Sequence, residues 1–202
     1  MSGKALINMI DTTKTAPEKR GKLIVVSGPS GVGKGTVCEI LKKNKDELNL
    51  SVSVSATTRA PRDDEKEGVN YFFKTEDEFQ EMIDNGCFLE WATYNKHNYG
   101  TPEKAVVEKL ESGVNVLLEI DVQGALKVMD KRPGGVYVFI APPSMEELRR
   151  RLVGRGSETA EEIERRLKLA EWEMQQKDKY DYIVVNDVSK KAAKKVAQII
   201  TA

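Results

Sequence analysis

Residues 22–41 read KLIVVSGPSGVGKGTVCEIL, and the order of residue types in this stretch decides the class of fold. Leu23–Ser27 is short, β-branched and apolar on both faces, as a strand buried in a parallel sheet must be. Residues 28–34, GPSGVGK, fit G-x-x-x-x-G-K. Val37, Ile40 and Leu41 then recur at helical spacing. Strand, glycine loop and helix in this order make a cradle for phosphate. The glycines let successive backbone N–H groups turn inward, and the helix aims its positive end at the same anion. Lys34 adds a mobile charge for the terminal phosphates. The loop contacts expected are Gly28, Pro29, Ser30, Gly31, Val32, Gly33, Lys34, Gly35 and Thr36. One position departs from the pattern: Gly35 replaces the usual Ser or Thr, and the hydroxyl comes at Thr36. Which residue orders a magnesium ion is therefore open. The loop implies a nucleoside triphosphate with magnesium but no particular reaction, since motors, GTPases and kinases all carry it.

Downstream, strands alternate with helices. Ser51–Arg59 alternates in polarity, and Thr75–Asn85 reads as a helix stopped by Gly86. Thr101 is expected to cap a helix that starts at Pro102 and stops at Gly113. Val114–Asp121 is a nearly continuous apolar run ending in a carboxylate, and Val136–Ile140 and Tyr182–Asn186 are further strands. Ser144 with Glu147, and Thr159 with Glu162, spell capping boxes, the second before a helix reaching about Lys177. Ser189 is read as the cap of the last helix. This is an α/β fold around a parallel sheet. The stretch from about 55 to 100 breaks the alternation and reads as an inserted lobe. Residues 1–20 show no period and read as a flexible N-terminal extension.

Composition narrows the function. The chain has 202 residues, enough for one domain with small lobes, and 32 acidic against 32 basic residues. No global charge draws it to nucleic acid or membrane, so an anion site must be local. Cys38, Cys87 and His97 are too few for a four-ligand Cys/His zinc site, and two cysteines argue for a reducing, cytoplasmic setting. No apolar run approaches the roughly 18–20 residues of a membrane span.

Ser55–Arg62 reads SATTRAPR. Two arginines three apart beside hydroxyls suit a second phosphate site, to which Tyr71 and Tyr99 could add donors. Two anion sites in a small protein suggest transfer between two nucleotides.

From about residue 22 to the C-terminus the chain resembles the guanylate kinases. The stretches that carry the likeness are SGPSGVGKGT, SVSATTRAPR, GVNYFF, FLEWATYNKHNYGTP, LLEIDVQGA, FIAPPS, LVGRGSE and VVND. The resemblance implies a three-layer P-loop kinase core with a parallel sheet (21–53, 105–145 and 171–202), an inserted GMP-binding lobe (about 54–104) and a helical lid (about 146–170). It implies phosphorylation of GMP by ATP with Mg2+. Arg59, Arg62, Tyr71 and Tyr99 match the family's ligands to the GMP phosphate, and Ser55, Glu90, Thr101 and Asp121 its guanine-binding set. Carboxylates suit guanine, whose N1–H and N2–H₂ are donors; adenine offers an acceptor at N1. Lys34, Arg155 and Arg166 correspond to the catalytic cations, and Asn186 to the contact with the ATP base. No strong direct metal ligand is implied; Glu119 or Thr36 would hold magnesium through water. Closure of lobe and lid would bring the phosphates together and exclude water.

Plainer readings stand beside these. Arg149, Arg150 and Arg151 lie in a charged helix and most of them read as a solvated face, and Arg59 and Arg62 could pair with Asp63, Asp64 or Glu65. Glu90 could be a buried structural carboxylate. Trp91 and Trp172 are expected in the core, Cys38 and Cys87 as small buried hydrophobes, and His97 in a loop without a catalytic part. A kinase for AMP or UMP, or a non-catalytic protein-binding module of the same fold, are the competing functions; oligomeric state is not legible.

Overall fold

The computed structural model describes residues 19–94, 96–154 and 159–202. The expectation for the N-terminal extension falls, over residues 1–18, outside them. Strand β1 (Leu23–Ser27) is buried along its whole length, as its two apolar faces require. It is the middle strand of a five-stranded parallel sheet. On one side lie β7 (Asn115–Glu119) and then β2 (Leu50–Val52); on the other lie β8 (Val136–Ala141) and then β9 (Tyr182–Val185). Alternate residues of β1 feed two cores. Ile24 and Val26 pack with α1 (Lys34–Lys43), α5 (Met145–Val153), α6 (Ala160–Gln175) and α7 (Ser189–Thr201). Leu23 and Val25 pack with α3 (Glu103–Glu111) and α4 (Val122–Lys131). Each such side chain contributes about 1.5–3 kcal/mol by leaving water, which is why a three-layer arrangement with helices on both faces suits this sequence.

A second sheet holds β3 (Ala56–Thr57), β4 (Phe72–Phe73), β5 (Phe88–Tyr94) and β6 (His97–Pro102), in the order β4-β3-β6-β5. Its own small core joins Ala56 to Phe79 of α2 (Glu76–Asp84) and Phe88, the two rings stacked 4.6 Å apart. The alternating run 51–59 is thus shared between two sheets: Leu50–Val52 pairs with β7 and Ala56–Thr57 with β6. Strands β5 and β6 form an antiparallel hairpin with an irregularity between Phe88 and Glu90, after which Glu90 faces Thr101.

The helix ends correct several expectations. Thr75 and Glu78 form a full capping box, as do Thr159 and Glu162. At Ser144 only half forms: its hydroxyl accepts from the Glu147 N–H, but the Glu147 carboxylate is taken by Arg150 and Arg151. Thr101 is not a cap. It is the penultimate residue of β6, and Pro102 precedes α3 in extended conformation. Ser189 is the first helical residue rather than the cap, because Val188 occupies that position. Helix α4 follows β7 almost directly and was not foreseen. Asp121 caps it, accepting from the Gly124 N–H at 2.6 Å. Trp91 and Trp172 are 38% and 37% exposed, so neither is a core residue. Cys38 is buried but Cys87 is exposed. His97 lies in β6, not in a loop.

Candidate active site

The site stands at the carboxyl ends of the parallel strands, where open α/β sheets bind ligands. β1 runs into the glycine loop there, and β7 ends at Glu119, two residues before Asp121. Gly28, Gly31 and Gly33 have φ of 143°, 89° and 93°, a region side chains rarely enter. A Cβ at Gly28 would lie 2.2 Å from the Ile140 carbonyl oxygen, so the loop passes too close to β8 for any other residue. Helix α1 starts at Lys34 behind Gly33, with no side chain capping it and no acidic residue in its first turn. Its first N–H groups and its dipole are therefore offered to an external anion.

Lys34 donates from Nζ to the carbonyl oxygens of Gly28 (2.5 Å) and Pro29 (3.2 Å). Burial holds its pKa below the usual lysine value, opposed by the carboxylates of Glu173, Glu119 and Asp121. From α6, Arg166 Nη1 donates to Ser30 Oγ at 3.2 Å. Arg155 lies outside the described residues. Asn186 is 2% exposed, and its side-chain amide donates to the Val32 carbonyl at 2.8 Å. Arg151 reaches the Val32 and Asn186 carbonyls as well. In this geometry the Asn186 amide nitrogen and Arg151 brace the loop. Arg149 and Arg150 form the solvated face expected of most of this run, and Arg151 is the one of the three that turns inward.

Ser55, Tyr71, Glu90, Tyr99, Glu119 and Asp121 line one cavity of about 240 Å3 between the two sheets. An adjoining cavity of about 140 Å3 shares Ser55, Tyr71 and Glu119 and adds Thr101. Glu90 is 8% exposed; Thr101 Oγ1 donates to its Oε1 at 2.6 Å. Burial raises the Glu90 pKa, with Asp121 adding to the rise and the Thr101 hydroxyl opposing it. A Cβ at Gly124 would lie 3.0 Å from Glu90 Oε2 and 3.3 Å from Asp121 Oδ1. A glycine in the first turn of α4 thus lets two carboxylates converge on one helix end, whose dipole favours their charge.

Arg59 is held two ways. Its Nη2 donates to both carboxylate oxygens of Glu65, at 2.7 and 2.9 Å, and its guanidinium lies 5.4 Å from the Tyr71 ring centre. Glu65 also accepts from the Arg62 N–H at 2.9 Å, while the Arg62 side chain is exposed. The plainer pairing of Arg59 with Glu65 is therefore present. The Tyr71 and Tyr99 rings meet edge-on at 6.0 Å, placing both phenols beside Arg59. Of the expected phosphate set, Tyr71 and Tyr99 line the cavity, whereas Arg59 stands beside Tyr71 without lining it and Arg62 lies outside it.

Glu119 approaches the first turn of α1: its Oε1 lies 3.4 Å from where a Cβ at Gly35 would be. Burial raises its pKa and Lys34 opposes the rise. Thr36 is exposed in the same turn. No group of three or more His, Cys, Asp or Glu that could hold a metal occurs among the described residues.

The glycine loop and the carboxylate-lined cavity thus meet at Glu119. The family model described as guanylate kinase matches residues 20–202. The chain belongs to the guanylate kinase family. It is 54% identical over 186 residues to a guanylate kinase of Caldanaerobacter subterraneus subsp. tengcongensis, covering 92% of this chain and 89% of that one. To a guanylate kinase of Halalkalibacterium halodurans it is 51% identical, covering 92% and 90%. The crystal structure of guanylate kinase from Anaplasma phagocytophilum superposes with a TM-score of 0.70 at 38% identity, covering 91% of this chain and 86% of that one. The chain shares the P-loop kinase fold with that structure. Sequence reasoning missed Arg151 and Gly124 as site-supporting residues; Arg151 acts through Val32 and Asn186, far along the chain, and Gly124 matters because it admits Glu90 beside Asp121.

Proposed function

We propose that this protein transfers the terminal phosphoryl group of ATP to GMP, giving ADP and GDP. The observation that supports it best is the pairing of Glu90 and Asp121, two acceptors at the α4 N-terminus, in a cavity reached from the phosphate loop. Guanine presents donors where these acceptors stand. GMP then binds with its base against Glu90, Thr101, Asp121 and Ser55, and its phosphate toward Arg59, Tyr71, Tyr99 and Arg62. The triphosphate takes the loop 28–36, and Lys34 exchanges the Gly28 and Pro29 carbonyls for phosphate oxygens. Phosphoryl transfer needs positioning and charge stabilisation more than a side-chain base, which matches a site rich in cations. Mg2+, held through water by Glu119 or Thr36, would neutralise charge on the transferring phosphates.

We read 54–104 as the GMP-binding lobe and 146–170, with Arg155 and Arg166, as the lid; their approach on ligand binding would exclude water. Among the described residues no helix is long and apolar enough to cross a membrane, and a cytoplasmic setting goes with these substrates. The test is a coupled assay of ADP formation in ATP with and without GMP. ADP release that depends on GMP supports the reading; release no faster than with ATP alone overturns it.

A further inference from the structure

Glu173 has no part in the chemistry above, yet it sits at its centre. It lies in α6, 4% exposed, seven residues after Arg166 and so two turns along the same face. Both residues bear on Ser30: Arg166 Nη1 donates to its hydroxyl, and the Ser30 N–H faces the Glu173 carboxylate and favours its ionised form. One carboxylate oxygen, Oε2, is buried with no hydrogen-bond partner among the described residues. Two more buried hydroxyls, Ser27 just before the loop and Tyr180 close to it, make no hydrogen bond among the described residues. An unsatisfied buried acceptor costs roughly 1–3 kcal/mol, more when charged, and its presence in a native fold asks for a reason.

The ionisable groups that face Glu173 are Lys34 from α1, Asp121 from the cap of α4, and Tyr180. Lys34 is the cation among them and favours the ionised carboxylate; burial and Asp121 oppose it, and the carboxyl is pushed up to about 7. A triphosphate in the loop changes both sides of that balance. It brings several negative charges close to Glu173, and it draws the Lys34 ammonium toward the phosphates. Each change favours the neutral acid.

We propose that Glu173 is a positioning residue of the phosphate loop: ionised, it holds the Ser30 amide and balances Lys34 in the empty site, and it takes a proton from solvent when a nucleoside triphosphate enters. The step is carboxylate plus proton to carboxylic acid, with no other bond changed. Nucleotide and proton then bind together, so ATP affinity falls as pH rises through the Glu173 range. The inference rests on the reading of residues 28–36 as the triphosphate loop.

Calorimetry of ATP binding in buffers of different ionisation enthalpy tests it, on the wild type and on Glu173→Gln, whose amide oxygen keeps an acceptor toward the Ser30 N–H without the charge. At pH 8 the wild type should take up about half a proton more than the variant, and between pH 7 and 8.5 its Kd for ATP should rise roughly three- to tenfold, against little change in the variant. A merely structural residue would instead weaken binding equally at every pH. Equal proton uptake and equal pH slopes in the two proteins overturn the proposal, as does a wild type that binds ATP at pH 8 without taking up a proton, whether or not the variant folds. Failure of the wild type to bind ATP at all would remove the loop reading itself.

Discussion

Glu90→Gln replaces one oxygen of a buried carboxylate by an amide and changes almost nothing else. Thr101 Oγ1 donates to Glu90 Oε1 at 2.6 Å. The glutamine oxygen will hold that bond, since the Thr101 hydroxyl needs an acceptor. The amide N–H₂ is then turned toward the space beside Gly124 and Asp121, where Oε2 now lies. A guanine donor meets another donor there. One hydrogen bond to a charged acceptor contributes about 1.5–3 kcal/mol, so kcat/KM for GMP should fall roughly 10- to 150-fold. The KM for ATP should hold, because the loop lies on another element. The free protein should not be destabilised, because the change removes a buried charge whose pKa burial already raises. For the same reason the wild type should lose kcat/KM for GMP on acidification earlier than an exposed carboxylate would, a limb the variant lacks. Steady-state kinetics with GMP varied at saturating ATP measures the effect. A folded variant within twofold of wild-type kcat/KM would refute the placement of the base against Glu90.

Lys34→Ala removes the cation that now rests on the Gly28 and Pro29 carbonyls; kcat should fall by on the order of 10²-fold or more with the fold intact, read by steady-state rate and circular dichroism. Gly124→Ala should separate stability from activity. Alanine in a helix gains up to about 1 kcal/mol over glycine, so Tm should hold or rise, while a methyl 3.0 Å from Glu90 Oε2 displaces the carboxylates and lowers kcat/KM for GMP by roughly 3- to 10-fold.

The phosphate loop was legible because strand, glycines and helix lie within a few turns of chain, where local rules apply. The continuous apolar runs 114–121 and 136–140 likewise announced buried parallel strands. What escaped was whatever depends on a distant partner. Thr101 carries the signature of a helix cap beside Pro102, but the hairpin register sets it opposite Glu90, and its hydroxyl goes to the carboxylate instead. Helix α4 was hidden because its cap, Asp121, directly ends an apolar strand and was read as part of it. Trp91 and Trp172 looked like core residues by size alone, though both lie on the outward faces of their elements. Of the base and phosphate set, the fold gathers Ser55, Tyr71, Glu90, Tyr99 and Asp121 around one cavity, a convergence that no local spacing contains. Glu65 was legible only as one of three acidic neighbours; its bidentate hold on Arg59 singles it out.

The central claim is that two carboxylates at the α4 N-terminus select the base. The most direct measurement is kcat/KM of the wild type for GMP and for AMP at fixed ATP, under one set of conditions. Adenine would leave at least one buried charged acceptor unsatisfied, at about 1–3 kcal/mol or more each, so GMP should be preferred by at least 10- to 100-fold. Equal use of the two monophosphates would contradict the claim.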